Sequence, residues 1–322
     1  MAADGSSAGE GRARIIEAST FSDYVLDTLR EWRRLGHKTA LLTLVKIDGS
    51  SPRPLGSQMA VNDAGQAVGA ITGGCAEQSL ILDALDAIAR GQNRVELYGQ
   101  GSRFKDIVLP CGSGIHVGFD VCLTDDELEG LQSARQQRRG AAYVFAGDEV
   151  RFEHVYRPRP RLIVLGSGHI VPLLAQFASI DQTEVIIYSP EETTRQRCAA
   201  FGLCYTLNTP ADWTADDLDR DTAVVSLFHD HAFEVPLLDA ALRSAAGYVG
   251  ALGSQRAHAN RTKALSALGW TADELSRLHG PVGLHIGAKT PSEIAISIMA
   301  EVIQARRLTT SSQAPVDAKS VG

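Results

Sequence analysis

The feature that most constrains the fold is an alternation of apolar strands and helical segments in the second half of the chain. The candidate strands lie in "RLIVLGSGH" (161–169), "EVIIY" (184–188), "TAVVSLFHDH" (222–231) and "GYVGALGSQR" (247–256), and each is followed by helical periodicity. Such alternation is typical of parallel strands that are joined by crossover helices. The sequence therefore predicts an α/β fold with a doubly wound parallel sheet in this part of the chain.

The loop after the first of these strands resembles the phosphate loop of a Rossmann domain. Gly166 and Gly168 stand between a strand and a helix, where they permit a tight turn and the close approach of a pyrophosphate to the helix N-terminus. Two positions depart from the pattern: Val171 replaces the third glycine, and Ser189 ends the second strand where an acidic residue would hold a ribose. The residues predict a Rossmann-like domain and leave NAD(P) binding open.

Two later strand ends carry polar side chains, and ligands of open α/β sheets bind outside the carboxyl ends of the strands. His229 and His231 flank an aspartate at one end, and Ser254 and Arg256 follow the next strand. The two histidines point to opposite faces of an extended strand, so they share a metal only if the chain turns there. In the other interpretation, one histidine lines the crevice and the other packs or caps the next helix. Arg256 suits an anionic group.

The first half of the chain reads as a mixed α/β domain with two glycine-embedded cysteines. Cys75 follows Gly73 and Gly74 and precedes an amphipathic helix that closes on Gly91, so unpaired N–H groups and the helix dipole are expected to favour its thiolate. Cys111 lies in "LPCGSG" (109–114). If the two loops meet, the thiols suit a soft metal, a sulfur-bearing ligand, a redox disulfide or a nucleophile. The other three cysteines lie in or beside apolar runs and are predicted to be core residues.

Composition limits the remaining classes. With 31 Lys and Arg against 38 Asp and Glu, the net charge of −7 argues against a general nucleic-acid binder. No apolar run approaches the length that spans a membrane, and the N-terminus lacks the apolar core of a secretory signal. Five cysteines without a CxxC pair are typical of free thiols in a reducing cytoplasm.

The length of 322 residues accommodates two domains. The proline-rich "YRPRPR" (156–161) is the predicted boundary, since proline continues neither a helix nor a central strand. We predict an N-terminal domain over 14–155 and a Rossmann-like domain over 156–308. The segments 1–13 and 309–322 are predicted to be disordered tails.

Four segments, taken in order, closely resemble the xanthine dehydrogenase accessory protein family (XdhC/CoxI). They are "GSSPRPLGSQMAV", "GAITGGCAEQSL", "IVLGSGHI" and "PVGLHIGAKTPSEIAISIMAEVI", and the match runs from about residue 20 to 307. The resemblance implies a cytoplasmic maturation factor, with a homodimer as a further expectation. Such a factor binds the molybdenum cofactor, protects it during sulfuration and delivers it to a xanthine dehydrogenase-type molybdenum hydroxylase. A cysteine desulfurase is the implied sulfur source, and neither nucleic acid nor membrane is an expected partner.

Carried over position by position, the resemblance assigns cofactor contacts to both halves of the chain. The implied cofactor-binding residues are Ser50, Ser51, Arg53, Gly73, Gly74, Cys75, Cys111, Gly166, Gly168, His169, Ser254 and Arg256. Cys75 and Cys111 would face the molybdenum. Two other functions remain open at this point. One is an NAD(P)-dependent oxidoreductase that uses His229 or His231 as proton donor. The other is a metal-dependent or thiol enzyme that uses Cys75, Cys111 and the histidines without a pterin.

Overall fold

The structure is a computed structural model, and it describes residues 24–74, 76–102, 113–147, 150–228 and 230–311. The chain divides into two compact units, Met1–Pro158 and Arg159–Gly322. Cys75, Cys111 and His229 lie outside the described residues. So do most of the predicted tails, although the last helix extends to Ser311.

The first unit is built on a five-stranded antiparallel sheet with the strand order β3-β2-β1-β5-β4. Its elements are α1 (Leu26–Arg34), β1 (Thr39–Asp48), β2 (Gln58–Asn62), β3 (Ala67–Gly69), α2 (Glu77–Arg90), β4 (Arg94–Gly99), β5 (Gly114–Asp120), α3 (Asp125–Gln136), β6 (Ala141–Gly147) and β7 (Val150–Tyr156). Strands β6 and β7 form a separate antiparallel hairpin.

Both faces of this sheet are covered, which explains why its central strand β1 reads as a continuous apolar run. Leu42 and Leu44 pack with the apolar side of α2. Leu41 and Val45 point the other way and pack with residues of α1, α3 and the hairpin. Alternate residues of a strand face opposite sides, so a strand between two layers needs apolar side chains at every position.

The second unit is a six-stranded parallel sheet with the order β10-β9-β8-β11-β12-β13. Its elements are β8 (Arg161–Gly166), α4 (Ile170–Ile180), β9 (Glu184–Ser189), α5 (Glu192–Cys198), β10 (Leu203–Thr206), a 3₁₀ turn (Pro210–Asp212), β11 (Thr222–Leu227), α6 (His231–Arg243), β12 (Tyr248–Ala251), α7 (Gln255–Ala267), α8 (Ala272–Leu275), β13 (Leu278–His279) and α9 (Pro291–Ser311).

Counted from the start of this unit, the strand order is 3-2-1-4-5-6, which is the order of the dinucleotide-binding Rossmann fold. Leu162 and Val164 of β8 pack with α4 and α9 on one face. Ile163 and Leu165 pack with α6 and α7 on the other. The prediction of a doubly wound α/β domain is confirmed. Among the described residues, no helix is both long enough and apolar enough to cross a membrane.

Candidate functional site

The register of the antiparallel sheet brings three loops of the first unit to one end. Asp48 at the end of β1 pairs with Gly114 at the start of β5, and Gly99 at the end of β4 pairs with the same residue. Met59 near the start of β2 pairs with Gly69 at the end of β3. The loops that begin after β1, β3 and β4 therefore all lie at the same end of the sheet's strands. These are the loops that carry the Ser-Ser-Pro-Arg, Gly-Gly-Cys and Pro-Cys-Gly-Ser motifs.

Two of the three loops are in direct contact. The backbone N–H of Ser50 donates to the hydroxyl of Ser113 over 3.0 Å, and the two hydroxyl oxygens lie 3.4 Å apart. The hydroxyl of Ser51 accepts from the N–H of Arg53 over 3.3 Å, which turns the chain within the loop. Ser113 is the last residue of the Pro-Cys-Gly-Ser motif and lies two positions after Cys111. It was not among the residues predicted from the sequence, because only the register shows which loop it meets.

The far side of the Ser-Ser-Pro-Arg loop rests on the hairpin. His154 of β7 lies against Gly56 and stands edge-on to the ring of Tyr156, with the ring centroids 4.5 Å apart. Burial lowers the pKa of His154 to about 4. At neutral pH this imidazole is therefore uncharged, and it supports the loop as a packed ring.

The Gly-Gly-Cys loop is held from within by Glu77, the first residue of α2. Its carboxylate accepts hydrogen bonds from the backbone N–H groups of Thr72, Gly73, Gly74 and Ala76. The expectation that these N–H groups are unpaired is therefore wrong for the described part of the loop. Burial alone would raise the pKa of Glu77, but the hydrogen bonds from Thr72 and the loop outweigh it and hold the pKa below its usual value.

The predicted site cysteines lie outside the described residues, but the other three differ from one another. Cys198 is buried, Cys204 is partly buried and Cys122 is exposed, so the prediction that all three are core residues is wrong for Cys122. Burial and the neighbouring Cys204 raise the pKa of Cys198 to about 11, which makes it an unreactive thiol. Within the described ranges, no three His, Cys, Asp or Glu side chains group into a metal site.

In the second unit, the loop after β8 has the expected shape. Gly166 and Gly168 have φ angles of 145° and 92°, as a tight strand-to-helix turn requires. The N–H of Gly168 donates to the hydroxyl of Thr194 over 3.2 Å. His169 occupies the N-cap of α4, and its Nδ1 lies 3.4 Å from a guanidinium nitrogen of Arg197.

The two departures from the dinucleotide pattern have structural consequences. Val171 is fully buried in the core beneath α4. Ser189 is also fully buried, and its hydroxyl accepts from the N–H of Glu191. The carboxylate of Glu191 in turn accepts from the hydroxyl of Thr194. The end of β9 therefore presents a buried serine where a ribose-binding carboxylate would stand, and the geometry gives NAD(P) binding no support.

The next strand ends are arranged around a buried ion pair that was not predicted from the sequence. Strand β11 ends at Leu227 and α6 begins at His231, so the strand does not continue to His231. Ser254 caps α7 by accepting from the N–H of Ala257, and Arg256 is exposed in the first turn of that helix. Beneath these ends, Arg261 and Glu234 are joined over 2.8 Å with both side chains fully buried.

The fold and the loops define a class of two-unit α/β proteins. In the first unit, glycine-rich loops lie together at one end of an antiparallel sheet. In the second unit, glycine-rich loops follow the carboxyl ends of the strands of a Rossmann sheet. Residues 162–302 match the family model described as the XdhC Rossmann domain, and residues 32–99 match the model described as the XdhC and CoxI family. The chain belongs to the XdhC and CoxI family, as its sequence motifs predicted.

Individual relatives agree with this assignment. The chain is 33% identical over 287 residues to the molybdenum cofactor insertion chaperone PaoD of Escherichia coli (strain K12), and the match covers 84% of each protein. It is 25% identical to a Bacillus subtilis (strain 168) protein named as a probable xanthine dehydrogenase subunit, over 88% of this chain and 97% of that protein. A crystal structure described as a xanthine dehydrogenase from Bacillus halodurans shares the fold, with a TM-score of 0.73 at 24% identity, over 90% of this chain and 98% of that one.

Proposed function

We propose that this protein binds the molybdenum cofactor and serves as a maturation chaperone for a molybdenum hydroxylase of the xanthine dehydrogenase type. The observation that carries the proposal is the convergence of three motif loops at one end of the first unit's sheet. The 33% identity to a protein named as a molybdenum cofactor insertion chaperone supports it independently. We infer a holding and delivery role rather than catalysis.

The described residues of these loops fit a ligand with an anionic phosphate. Arg53 supplies a guanidinium, and Ser50, Ser51 and Ser113 supply hydroxyl groups within one connected loop pair. A guanidinium and hydroxyl groups on one loop pair orient a phosphate without surrounding it, which suits a cargo that must later be released. We assign the anionic end of the cofactor to this loop pair.

We further propose that Cys75 and Cys111 face the molybdenum end of the cargo. Both cysteines belong to loops that begin at the same end of the sheet's strands. Thiolates are the ligands that soft metal centres prefer. For the second unit by itself, we propose Gly166, Gly168, His169, Ser254 and Arg256 as ligand-binding residues, since they lie at the carboxyl ends of its parallel strands. We also propose His229 and His231 as candidate functional residues of this unit.

Metal and pterin analysis tests the proposal. The protein is expressed in a molybdenum-replete host beside Cys75→Ala, and molybdenum is quantified by mass spectrometry and pterin by the fluorescence of its oxidised form. We expect equal amounts of both in the wild type and at least a fivefold loss in the variant. Cys122→Ala is the matched control, because it removes an exposed thiol of the same unit elsewhere. Absence of both molybdenum and pterin from the wild type, even after incubation with released cofactor, would refute the chaperone function.

The partners follow from this role and are tested separately. We propose a cytoplasmic setting, delivery to the hydroxylase, sulfur supply by a cysteine desulfurase, and a homodimer. Pull-down experiments with purified hydroxylase and with purified cysteine desulfurase, at a defined cofactor content of this protein, test the two interactions. Light scattering of the purified protein gives its oligomeric state. A loaded protein that activates cofactor-free hydroxylase without contacting it would contradict direct delivery.

A further inference from the structure

Arg261 of α7 is a buried guanidinium with an unused donor group. Its side chain is fully buried. Its Nε donates to Glu234 over 2.8 Å, and its Nη2 donates to the carbonyl oxygen of Leu252 over 2.8 Å. Its Nη1 is also buried, and it has no hydrogen-bond partner in the part of the chain that the structure describes. Buried polar side-chain atoms nearly always have a partner, so Nη1 points to an acceptor from outside the described chain.

The guanidinium of Arg261 reaches the turn at which α7 begins. Leu252 and Gly253 connect the end of β12 to Ser254, the N-cap of α7. Gly253 is exposed and has a φ of 148°, and a Cβ added to it would stand 3.6 Å from Nη2 of Arg261. The buried guanidinium therefore lies directly beneath an exposed turn of the chain.

The same turn offers backbone donors and a positive charge. The hydroxyl of Ser254 accepts from the N–H of Ala257 over 3.2 Å, and its carbonyl accepts from the N–H of His258 over 2.9 Å. The N–H groups of Gln255 and Arg256 precede these bonds, and no described residue accepts from them. The first turn of α7 contains no acidic residue, and the side chain of Arg256 is exposed there. The helix N-terminus and Arg256 together make the turn positive.

The charges beneath the turn balance one another. Glu234 neutralises Arg261, so Arg261 contributes a directed donor rather than net charge. His258 lies three residues earlier on α7, and its Nδ1 is likewise buried without a partner among the described residues. Burial and the nearby Arg261 lower the pKa of His258, so its imidazole is uncharged at neutral pH. The attraction for an anion therefore comes from Arg256 and the helix N-terminus.

We propose that the turn from Gly253 to Arg256 is an oxyanion site of the second unit, and that it binds the phosphate group of a small ligand. The free N–H groups and Arg256 contact the phosphate from the exposed side, and Arg261 donates from beneath the turn. A tetrahedral phosphate offers acceptor oxygens in several directions, which suits donors on both sides. This inference rests on the ligand-binding role proposed above for Ser254 and Arg256.

The proposed site differs from the phosphate site of a dinucleotide-binding domain. That site lies at the turn after the first strand, which is β8 in this unit. At that turn the N–H of Gly168 already donates to the hydroxyl of Thr194. The structure thus favours the turn after β12 over the turn after β8 as the place for a phosphate.

Phosphate titration of three variants tests the site. Inorganic phosphate is titrated at constant ionic strength into the full-length protein, purified without bound cofactor, and its affinity is measured by calorimetry. Arg256→Gln removes the exposed guanidinium, and Arg261→Lys keeps a positive charge beside Glu234 but removes the forked donor. Lys263→Gln is the matched control, because it removes one positive charge from an exposed position further along α7. We expect phosphate to bind about tenfold more weakly to the first two variants, the usual effect of losing one charge-assisted hydrogen bond, and within about twofold of wild type to the control.

Amide exchange locates the bound phosphate. Phosphate should slow the exchange of the 250–260 peptide and leave that of the 163–173 peptide unchanged. If Arg261→Lys does not fold, Arg256→Gln and this exchange pattern decide the question. Wild-type affinity in Arg256→Gln or in a folded Arg261→Lys, or protection at 163–173 instead, would overturn the inference. Acetate that binds as tightly as phosphate would overturn the assignment to a phosphate group.

The cofactor analysis described above separates this inference from the chaperone function. Wild-type protein that contains molybdenum and pterin but binds no inorganic phosphate at this turn overturns the phosphate site alone. Protein that binds phosphate here but takes up no molybdenum cofactor refutes the chaperone function and leaves the phosphate site supported.

Discussion

The buried ion pair of the second unit allows a quantitative prediction of stability. Arg261 of α7 donates from Nε to Glu234 of α6 over 2.8 Å and from Nη2 to the carbonyl of Leu252 over 2.8 Å. Ser226, near the end of β11, donates to the other oxygen of Glu234 over 2.6 Å. Both charged side chains are fully buried. One carboxylate thus connects α6 with the neighbouring strand and helix.

Removing one partner should lower the free energy of unfolding by far more than the intact pair adds to it. Arg261→Met is close in length and fills the space, but it leaves the Glu234 carboxylate buried without its counter-charge and the Leu252 carbonyl without this donor. We expect a loss of about 3–5 kcal/mol in the free energy of unfolding, the range for a broken buried ion pair. Glu234→Leu should cost a similar amount. The double variant should cost clearly less than the sum, since apolar replacement of a whole buried pair is often neutral.

The assay is urea unfolding followed by tryptophan fluorescence in a Trp32→Phe background. The two tryptophans that remain, Trp213 and Trp270, both belong to the second unit and report on it alone. Four proteins complete the double-mutant cycle. A cost below about 1 kcal/mol for Arg261→Met, or single effects that simply add, would refute the reasoning that the pair acts as a desolvated unit.

Three further predictions concern backbone and protonation. Gly130 lies at an exposed position within α3, and an added side chain there meets no described atom within 4 Å. Gly130→Ala should therefore raise the free energy of unfolding in urea by about 0.5–1 kcal/mol, because alanine has the higher helix propensity. A decrease would contradict this argument. Gly247→Ala should destabilise the second unit by at least about 2 kcal/mol, because the added Cβ would collide with the carbonyl oxygen of Arg220, and backbone cannot yield as a side chain does. A change below about 0.5 kcal/mol, the size of an ordinary surface effect, would contradict this reasoning. Burial lowers the pKa of His154 to about 4, against roughly 6.5 in an unfolded chain. As the pH falls, the unfolded state therefore binds this proton before the folded state does. The free energy of unfolding should be unaffected by this histidine above pH 6.5 and should fall by roughly 2–3 kcal/mol as the pH approaches 4. His154→Gln should lack that part of the pH dependence in thermal melts at pH 7.5 and 4.5, and an unchanged pH dependence would refute the assignment.

Local signals in the sequence predicted many elements with their ends. Thr124 and Glu127 have the residue types and the spacing of a capping box, and α3 begins there with both reciprocal hydrogen bonds formed. Gly91 predicted the end of α2, and it adopts a left-handed φ of 65° at the C-cap. These features depend on residues a few positions apart, so a single stretch of sequence contains the whole interaction.

Contacts between distant segments were not predictable in the same way. Leu35 continues the apolar periodicity of α1, yet it is 67% exposed because the helix ends at Arg34. Ser113 meets Ser50 only because β5 pairs with β1 in one register. No spacing rule connects residues that lie 63 positions apart in the chain.

The sequence by itself determined the family, the alternation that makes the second unit a Rossmann sheet, and the motifs that carry the proposed chemistry. Each of these depends on residue type and local spacing. Only the tertiary structure decided which loops share an edge and what their N–H groups bind. Glu77 is an ordinary first-turn glutamate in the sequence, but in the fold it is a buried acceptor of five hydrogen bonds. The reason is physical: a buried carboxylate takes whatever donors the folded chain brings to it, and strand pairing and helix packing set that arrangement.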